Sequence, residues 1–198
     1  MDESLAKIRH ERSVKDFPGL RLEDDEYVEF AFSRAKICLL MIFMGTGFGL
    51  ALILLAFLLV LMGQSMIDEM GQNFLFIILA ALVSAALIIC IIATRIYNGN
   101  KLFITNKRAI QMVMDSIVSK SVNIIDLVSI EDASFRQDSL LQNIFHYGTL
   151  RLSTVGDETT YTFKYSDITG EQLKAVTDLI SAAKKRGRKK KAAEEEEF

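Results

Sequence analysis

Residues 37–62 and 74–93 are two windows, 26 and 20 positions long, without a single acidic or basic side chain. As α-helices they would run about 39 Å and about 30 Å, against a bilayer core of about 30 Å. Their flanks are asymmetric. Arg34 and Lys36 precede the first window and Arg95, Lys101, Lys107 and Arg108 follow the second, whereas the connecting stretch 63–73 holds Asp68 and Glu69 and no Lys or Arg. The bias of Lys and Arg toward the cytoplasmic side predicts a multi-pass hairpin in the cytoplasmic membrane over residues 37–93, with both termini cytoplasmic and loop 63–73 outside. A buried globular helix could also be apolar all round, but two such runs in succession with charged flanks argue against it. A cleaved signal peptide does not fit a run preceded by 36 largely polar residues.

Gly45 and Gly49 are one helical turn apart in the first window with Gly47 between them, and Ala81 and Ala85 have the same spacing in the second. Small residues so placed let two helix backbones approach closely, either within the hairpin or against a second copy or a partner's helix. With no acidic or basic residue in either window, the ionisable groups of a proton or ion pathway are missing, which argues against transport by this chain alone.

Beyond residue 100 the pattern changes to short alternating runs. Leu102 and Ile104 mark one strand; Ile110, Met112 and Met114 mark the next. Further strands are expected over 120–124, 128–135, 150–154 and 160–165, where Tyr161, Phe163 and Tyr165 share a face, with Gly156-Asp157 as a hairpin turn. Strands at this spacing predict a small all-β barrel or sandwich. A closing helix has a marked start: Thr169 and Gln172 form a capping box, Ile168 and Leu173 a hydrophobic staple, and Leu173, Val176 and Ile180 an apolar stripe. The expected division is an N-terminal cytoplasmic segment 1–36, the helical hairpin 37–93, a β domain 94–183 and a charged tail 184–198.

The N-terminal segment divides at Phe17-Pro18-Gly19, which contains the only proline. Before it, residues 3–15 are charged and helix-compatible with a thin apolar stripe of Leu5 and Ile8, as in an interfacial or partly disordered arm. After it comes the acidic run Glu23, Asp24, Asp25 and Glu26, which lacks the ligand spacing of a calcium loop and reads as a solvated face.

The order of these segments resembles the bacterial pleckstrin-homology family, in its membrane-flanked type with two transmembrane helices. The resemblance lies in Leu102-Phe103-Ile104-Thr105-Asn106-Lys107-Arg108-Ala109-Ile110, similar to that family's strand, Thr-x-x-Arg turn and strand. It extends to Ile124-Ile125-Asp126-Leu127-Val128-Ser129-Ile130, to Phe145-His146-Tyr147-Gly148-Thr149-Leu150, and to the acidic lead Asp25-Glu26-Tyr27-Val28. It covers about residues 20–185 and implies two nearly orthogonal sheets closed at one end by a C-terminal helix. It also implies a comparison with pleckstrin-homology domains that bind inositol phosphates through basic residues around the first hairpin turn, the place of Lys107 and Arg108 here, with Arg108 doubling as a structural residue.

Composition narrows the chemistry. The 23 Lys and Arg against 25 Asp and Glu leave a net charge of −2, so no global basic surface points to nucleic acid. His10, His146, Cys38 and Cys90 lack the paired spacings of zinc or redox sites. No nucleophile elbow, phosphate loop, zinc-protease or dinucleotide motif occurs, so no catalytic residue, cofactor or metal is expected. His146 reads as a surface or hydrogen-bonded histidine or as a contact residue beside Phe145 and Tyr147, both expected in the core. In the tail, Lys184, Lys185, Arg186, Arg188, Lys189, Lys190 and Lys191 could each gain about 1 kcal/mol near anionic lipid, offset by Glu194 to Glu197. A solvated disordered tail and an RNA contact are the other readings. The expected function is a non-enzymatic membrane protein presenting its β domain as a scaffold or accessory subunit to an unidentified protein partner or another copy of itself; the alternative is an anionic-lipid head-group sensor.

Overall fold

The computed structural model describes residues 2–62, 69–154 and 160–196. Most of the expected external loop (63–68) and the expected Gly156-Asp157 turn lie outside the described residues, as do the side chains of Lys190, Lys191 and Glu194 to Glu197. Helix α1 (Asp2–Asp16) is followed by strand β1 (Val28–Ser33), helices α2 (Lys36–Met62) and α3 (Glu69–Gly99), and strands β2 (Lys101–Thr105), β3 (Arg108–Met114) and β4 (Lys120–Asp126). A 3-10 turn (Leu127–Ser129) then leads to β5 (Ile130–Arg136), α4 (Leu140–Ile144), β6 (Gly148–Thr154), β7 (Thr160–Ser166) and α5 (Gly170–Glu196).

The chain forms two compact units, one of residues 1–35 and 99–198 and one of residues 36–98. The N-terminal segment is therefore not separate from the β domain. β1 pairs antiparallel with β2, Phe32 opposite Leu102 and Ser33 opposite Lys101, so both apolar helices are inserted between two neighbouring strands of one sheet. The sheets have the orders β1-β2-β3-β4 and β5-β6-β7. They meet at an Arg34–Ser166 bridge and, among the described residues, do not close into a barrel. Two antiparallel sheets and a C-terminal helix are what the sequence resemblance implies.

Alternation explains the core. Leu102, Ile104, Ala109 and Ile125 of the first sheet meet Leu150, Leu152 and Phe163 of the second, and Ile168, Val176 and Ile180 close over them. α5 packs against the 3-10 turn and β5. Its start is capped as expected: the Gln172 amide N–H donates to Thr169 Oγ1 (3.3 Å) and the Thr169 N–H to Gln172 Oε1 (3.0 Å). The first sheet is covered on its other face as well, where Phe103 and Ile110 pack with Leu20, Phe17, Leu22 and Met112. The alternation of Tyr161, Phe163 and Tyr165 breaks at Tyr165, whose φ of 62° turns its ring outward to 42 % exposure.

Residues 3–15, expected as an interfacial or partly disordered arm, are helical and docked. α1 is held to the sheet domain by Ser13, whose Oγ accepts from the Val28 N–H (3.0 Å), and by the Arg9 guanidinium over the Tyr27 ring (5.3 Å). Nor does the fold end at residue 183, because α5 continues without interruption through the basic cluster to Glu196.

In the helical unit, stretches Lys36–Val60 and Asn73–Gly99 are long and apolar enough to cross a membrane. Three hydroxyls within them bond to their own helix: Thr46 donates to the Ile42 carbonyl (2.6 Å), Ser84 to that of Ala80 (2.7 Å) and Thr94 to that of Cys90 (2.8 Å). Phe57 and Phe76 meet edge to face at 5.2 Å. A cavity of about 300 Å³ lined by Ile53, Phe57, Leu75 and Leu79 lies between the helices. Gly45 and Gly49 do not serve as the close contact of this pair, since a Cβ built on either meets nothing within 4 Å. Ala81 and Ala85 are exposed.

Candidate functional site

The two ends of the four-stranded sheet differ in chemistry. At one end the β2–β3 turn carries Asn106, Lys107 and Arg108. Arg108 makes a bidentate pair with Glu26, Nε to Oε1 at 2.9 Å and Nη2 to Oε2 at 2.8 Å. Glu26, expected on a solvated face, is fully buried. Its carboxylate also accepts from the Thr105 hydroxyl (2.7 Å) and the Glu23 N–H (2.9 Å). Burial alone would raise the Glu26 pKa, but the hydrogen bonds from Arg108, Glu23 and Thr105 outweigh it and hold the carboxyl below its ordinary value. The same bond to Glu26 raises the Arg108 guanidinium. Asn106 completes the clasp by accepting from the Tyr27 N–H (3.1 Å) and donating to the Asp25 carbonyl (3.0 Å).

Both cations of this turn have partners in the chain's own acidic run. Arg108 also pairs with Glu23 (3.2 Å), and Lys107 reaches Glu23 (3.5 Å) and the Asp24 carbonyl (3.1 Å). The charges of Lys107 and Arg108 are thus met within the chain by its own acidic run. Such a pairing has no local signal, because Glu26 and Arg108 are 82 residues apart in sequence.

At the other end the chain leaves the sheet for α2 after Ala35 and returns from α3 at Gly99. Here a cavity of about 270 Å³ is lined by Arg34, Asn100, Gln111, Asp115, Thr162 and Lys164, among others. Its wall is built by β7 crossing the sheet end, fixed by the Gln111 amide donating to the Thr162 carbonyl (2.8 Å). Arg34 stacks over the Tyr165 ring at 5.8 Å. Sequence reasoning passed over this pocket, since its residues come from four separate segments.

His146 lies at neither place. It follows α4 with a φ of 54° and is exposed. Its neighbours divide: Tyr147 is buried at 5 %, within 6.3 Å of Tyr165, whereas Phe145, expected in the core, is 45 % exposed. Gly148 beside them allows close strand approach, because a Cβ there would sit 2.5 Å from the Arg136 carbonyl oxygen. The outward turn of Phe145 extends an apolar surface formed by Leu140, Leu141 and Ile144, which are 81 %, 50 % and 63 % exposed. α4 is held by a capping box of Ser139 and Gln142, a Ser-x-x-Gln signal legible in the sequence. In the tail, Lys184 donates to the Glu131 carbonyl (3.1 Å), and Lys185, Arg186, Arg188 and Lys189 are exposed along α5. Among the described residues, no three His, Cys, Asp or Glu gather as a metal site.

The structure is similar to the crystal structure of a DUF1696 family protein with a pleckstrin-homology domain from Shewanella loihica PV-4. The two share 14 % identity with a TM-score of 0.32, over 43 % of this chain and 70 % of that one. A likeness this slight carries no argument about function. No family model and no curated protein matches the chain.

Proposed function

We propose that this is a non-enzymatic protein of the cytoplasmic membrane that presents its two-sheet domain, on the cytoplasmic side, to a protein partner as a scaffold or accessory subunit. The observation that carries this reading is the insertion of two apolar helices between the paired strands β1 and β2. Helices in a bilayer would tether the domain at two adjacent strand ends, which restricts its rotation as one flexible linker would not. The flanking Arg34, Lys36, Arg95 and Lys101 set the orientation with both termini inside. The partner surface in this reading is the α4 patch of Leu140, Leu141, Ile144 and Phe145, because exposed apolar clusters with polar rims mark protein contacts.

Single cysteines at Ser65 and Asp178, in a background lacking Cys38 and Cys90, test the topology with an impermeant thiol reagent on intact cells. Position 65 is expected to label and position 178 to stay protected; the reverse pattern overturns the orientation. Purification of the full chain in mild detergent, beside an Ile144→Asp variant, tests the patch: a partner retained equally by both moves the contact elsewhere.

A second reading, the anionic head-group sensor, draws support from the pocket holding Arg34 and Lys164 rather than from Lys107 and Arg108, whose charges are met by Glu23 and Glu26. Asp115 in the same pocket opposes it. Salt-sensitive binding of soluble glycerophosphate to the detergent-solubilised full chain, lost in Lys164→Ala, separates it from the scaffold reading.

A further inference from the structure

We propose that the tip of the β3–β4 hairpin, Ile117 and Val118, dips into the lipid surface at which the two apolar helices emerge. The inference rests on the membrane reading above and deepens it by naming a second, non-spanning contact with lipid.

Strand register places the tip. Ser33 is opposite Lys101, Lys101 opposite Met112 and Met114 opposite Lys120, so the exits of β1, the start of β2 and the β3–β4 tip share one end of the sheet. The last ordered pair before the tip is tied directly to the point where the chain returns from α3. The Asn100 side-chain amide donates to the Met114 carbonyl (2.9 Å), and Asn100 Oδ1 accepts from the Met114 N–H (3.3 Å). Gly99 lies so close to Met114 that any side chain on it would strike the methionine Sδ. Val118 is four residues past Met114, a reach of at most about 14 Å.

The chemistry of the tip fits lipid. Turns are ordinarily built of Gly, Asn, Asp and Ser, yet Val118 is 95 % exposed and Ile117 is 55 % exposed. They are held in that position, because the Ser119 N–H donates to Ser116 Oγ (3.0 Å) and closes the turn beneath them. Lys101 and Lys120, both exposed, stand at the same sheet end, where ammonium groups meet anionic head groups. The opposite end of the same strands carries the acidic run and no exposed aliphatic tip: Asn106 and Lys107 form that turn and are bonded to residues 23–27. The exposed aliphatic tip thus stands at the exit end of the strands, beside the polar pocket of Arg34, Asp115 and Lys164, and away from the acidic run.

The test uses the full chain, reconstituted into vesicles of phosphatidylcholine and phosphatidylglycerol, with an environment-sensitive fluorophore on single cysteines at Val118, Lys107 and Leu52. Each is read with aqueous iodide and with nitroxide-labelled lipid as quenchers. Val118 is expected to emit to the blue of Lys107, to lose most of its emission to a nitroxide near the head groups and to be spared by iodide. Lys107 should behave oppositely, and Leu52 should be quenched by a nitroxide deep in the acyl chains. Iodide quenching at Val118 equal to that at Lys107, with Leu52 still quenched by lipid, overturns the tip contact and leaves the membrane reading standing. Shielding of Val118 from both quenchers overturns it in favour of a protein contact. Loss of lipid quenching at Leu52 overturns the membrane reading and the tip contact together.

Discussion

The same residue types face opposite ways in the two units. In the sheet domain Leu102 and Leu150 are each 1 % exposed, whereas in the helical unit Leu59 is 62 % and Ile77 is 66 % exposed. The domain's aliphatics satisfy one another across two sheets, which is how a chain folds against water. The helices instead keep their polar groups internal, down to the hydroxyls of Thr46, Ser84 and Thr94, and leave their aliphatics to the surroundings. An apolar surface of that extent marks a contact with lipid or with another chain. The comparison teaches that hydropathy alone does not tell inside from outside; what settles it is whether partners exist across the contact.

The largest expected effect is on the sheet domain. Arg108→Ala strands the buried Glu26 carboxylate, and removing one partner of such a pair costs about 3–5 kcal/mol, read by thermal or urea unfolding of the detergent-solubilised chain. Acid probes the same pair. Because the Glu26 pKa is lower folded than unfolded, the pair's stabilisation is complete above the ordinary glutamate value and is lost as pH falls through the depressed one. Glu26→Gln should lower stability at neutral pH and flatten that acid dependence; an unchanged acid limb assigns it to other carboxylates.

Next comes the direct contrast between units. Leu150→Ala is expected to cost about 2–5 kcal/mol through lost burial and a cavity, while Leu59→Ala should stay within about 0.5 kcal/mol. Equal losses would mean that α2 buries Leu59 against protein, and the comparison would break. Thr169→Ala removes the cap of α5 at about 1 kcal/mol. Smallest is the paired change Gly45→Leu and Gly49→Leu, expected to leave unfolding of the chain unaltered, since nothing lies within 4 Å of either position. A smaller particle in size-exclusion chromatography would show that those glycines meet a second chain.

Legibility in the sequence followed the range of the interactions. The apolar helices, the alternation of β2 to β7 and the Thr169 cap are written in neighbouring residues, and each was readable there. β1 was not: Phe30 and Phe32 alternate, but their partners Ile104 and Leu102 lie beyond both helices. The Glu23 to Glu26 run looked solvated because four acids in a row normally are, and only Arg108 and Thr105, remote in sequence, make burial of Glu26 tolerable. Phe145 leaves the core where it was expected and Tyr147 keeps its place there, on either side of one left-handed residue, His146, a backbone choice with no signature in hydropathy. The pocket of Arg34 and Lys164 required the corner between the sheets.

The insertion of α2 and α3 between β1 and β2 also orders events during synthesis. Val28 leaves the ribosome long before Thr105, its partner 77 positions later, so β1 has no sheet to join until both helices have been made. Pairing so distant in sequence is slow to close and leaves a strand edge open meanwhile. In the membrane reading proposed above, completion of the four-stranded sheet would report that both helix ends have come back to the same side: a chain whose second helix failed to return would hold β1 and β2 apart, with Glu26 and Arg108 unpaired. The Glu26–Arg108 pair thus closes only in a chain whose residues 35 and 99 have been brought together across the two helices.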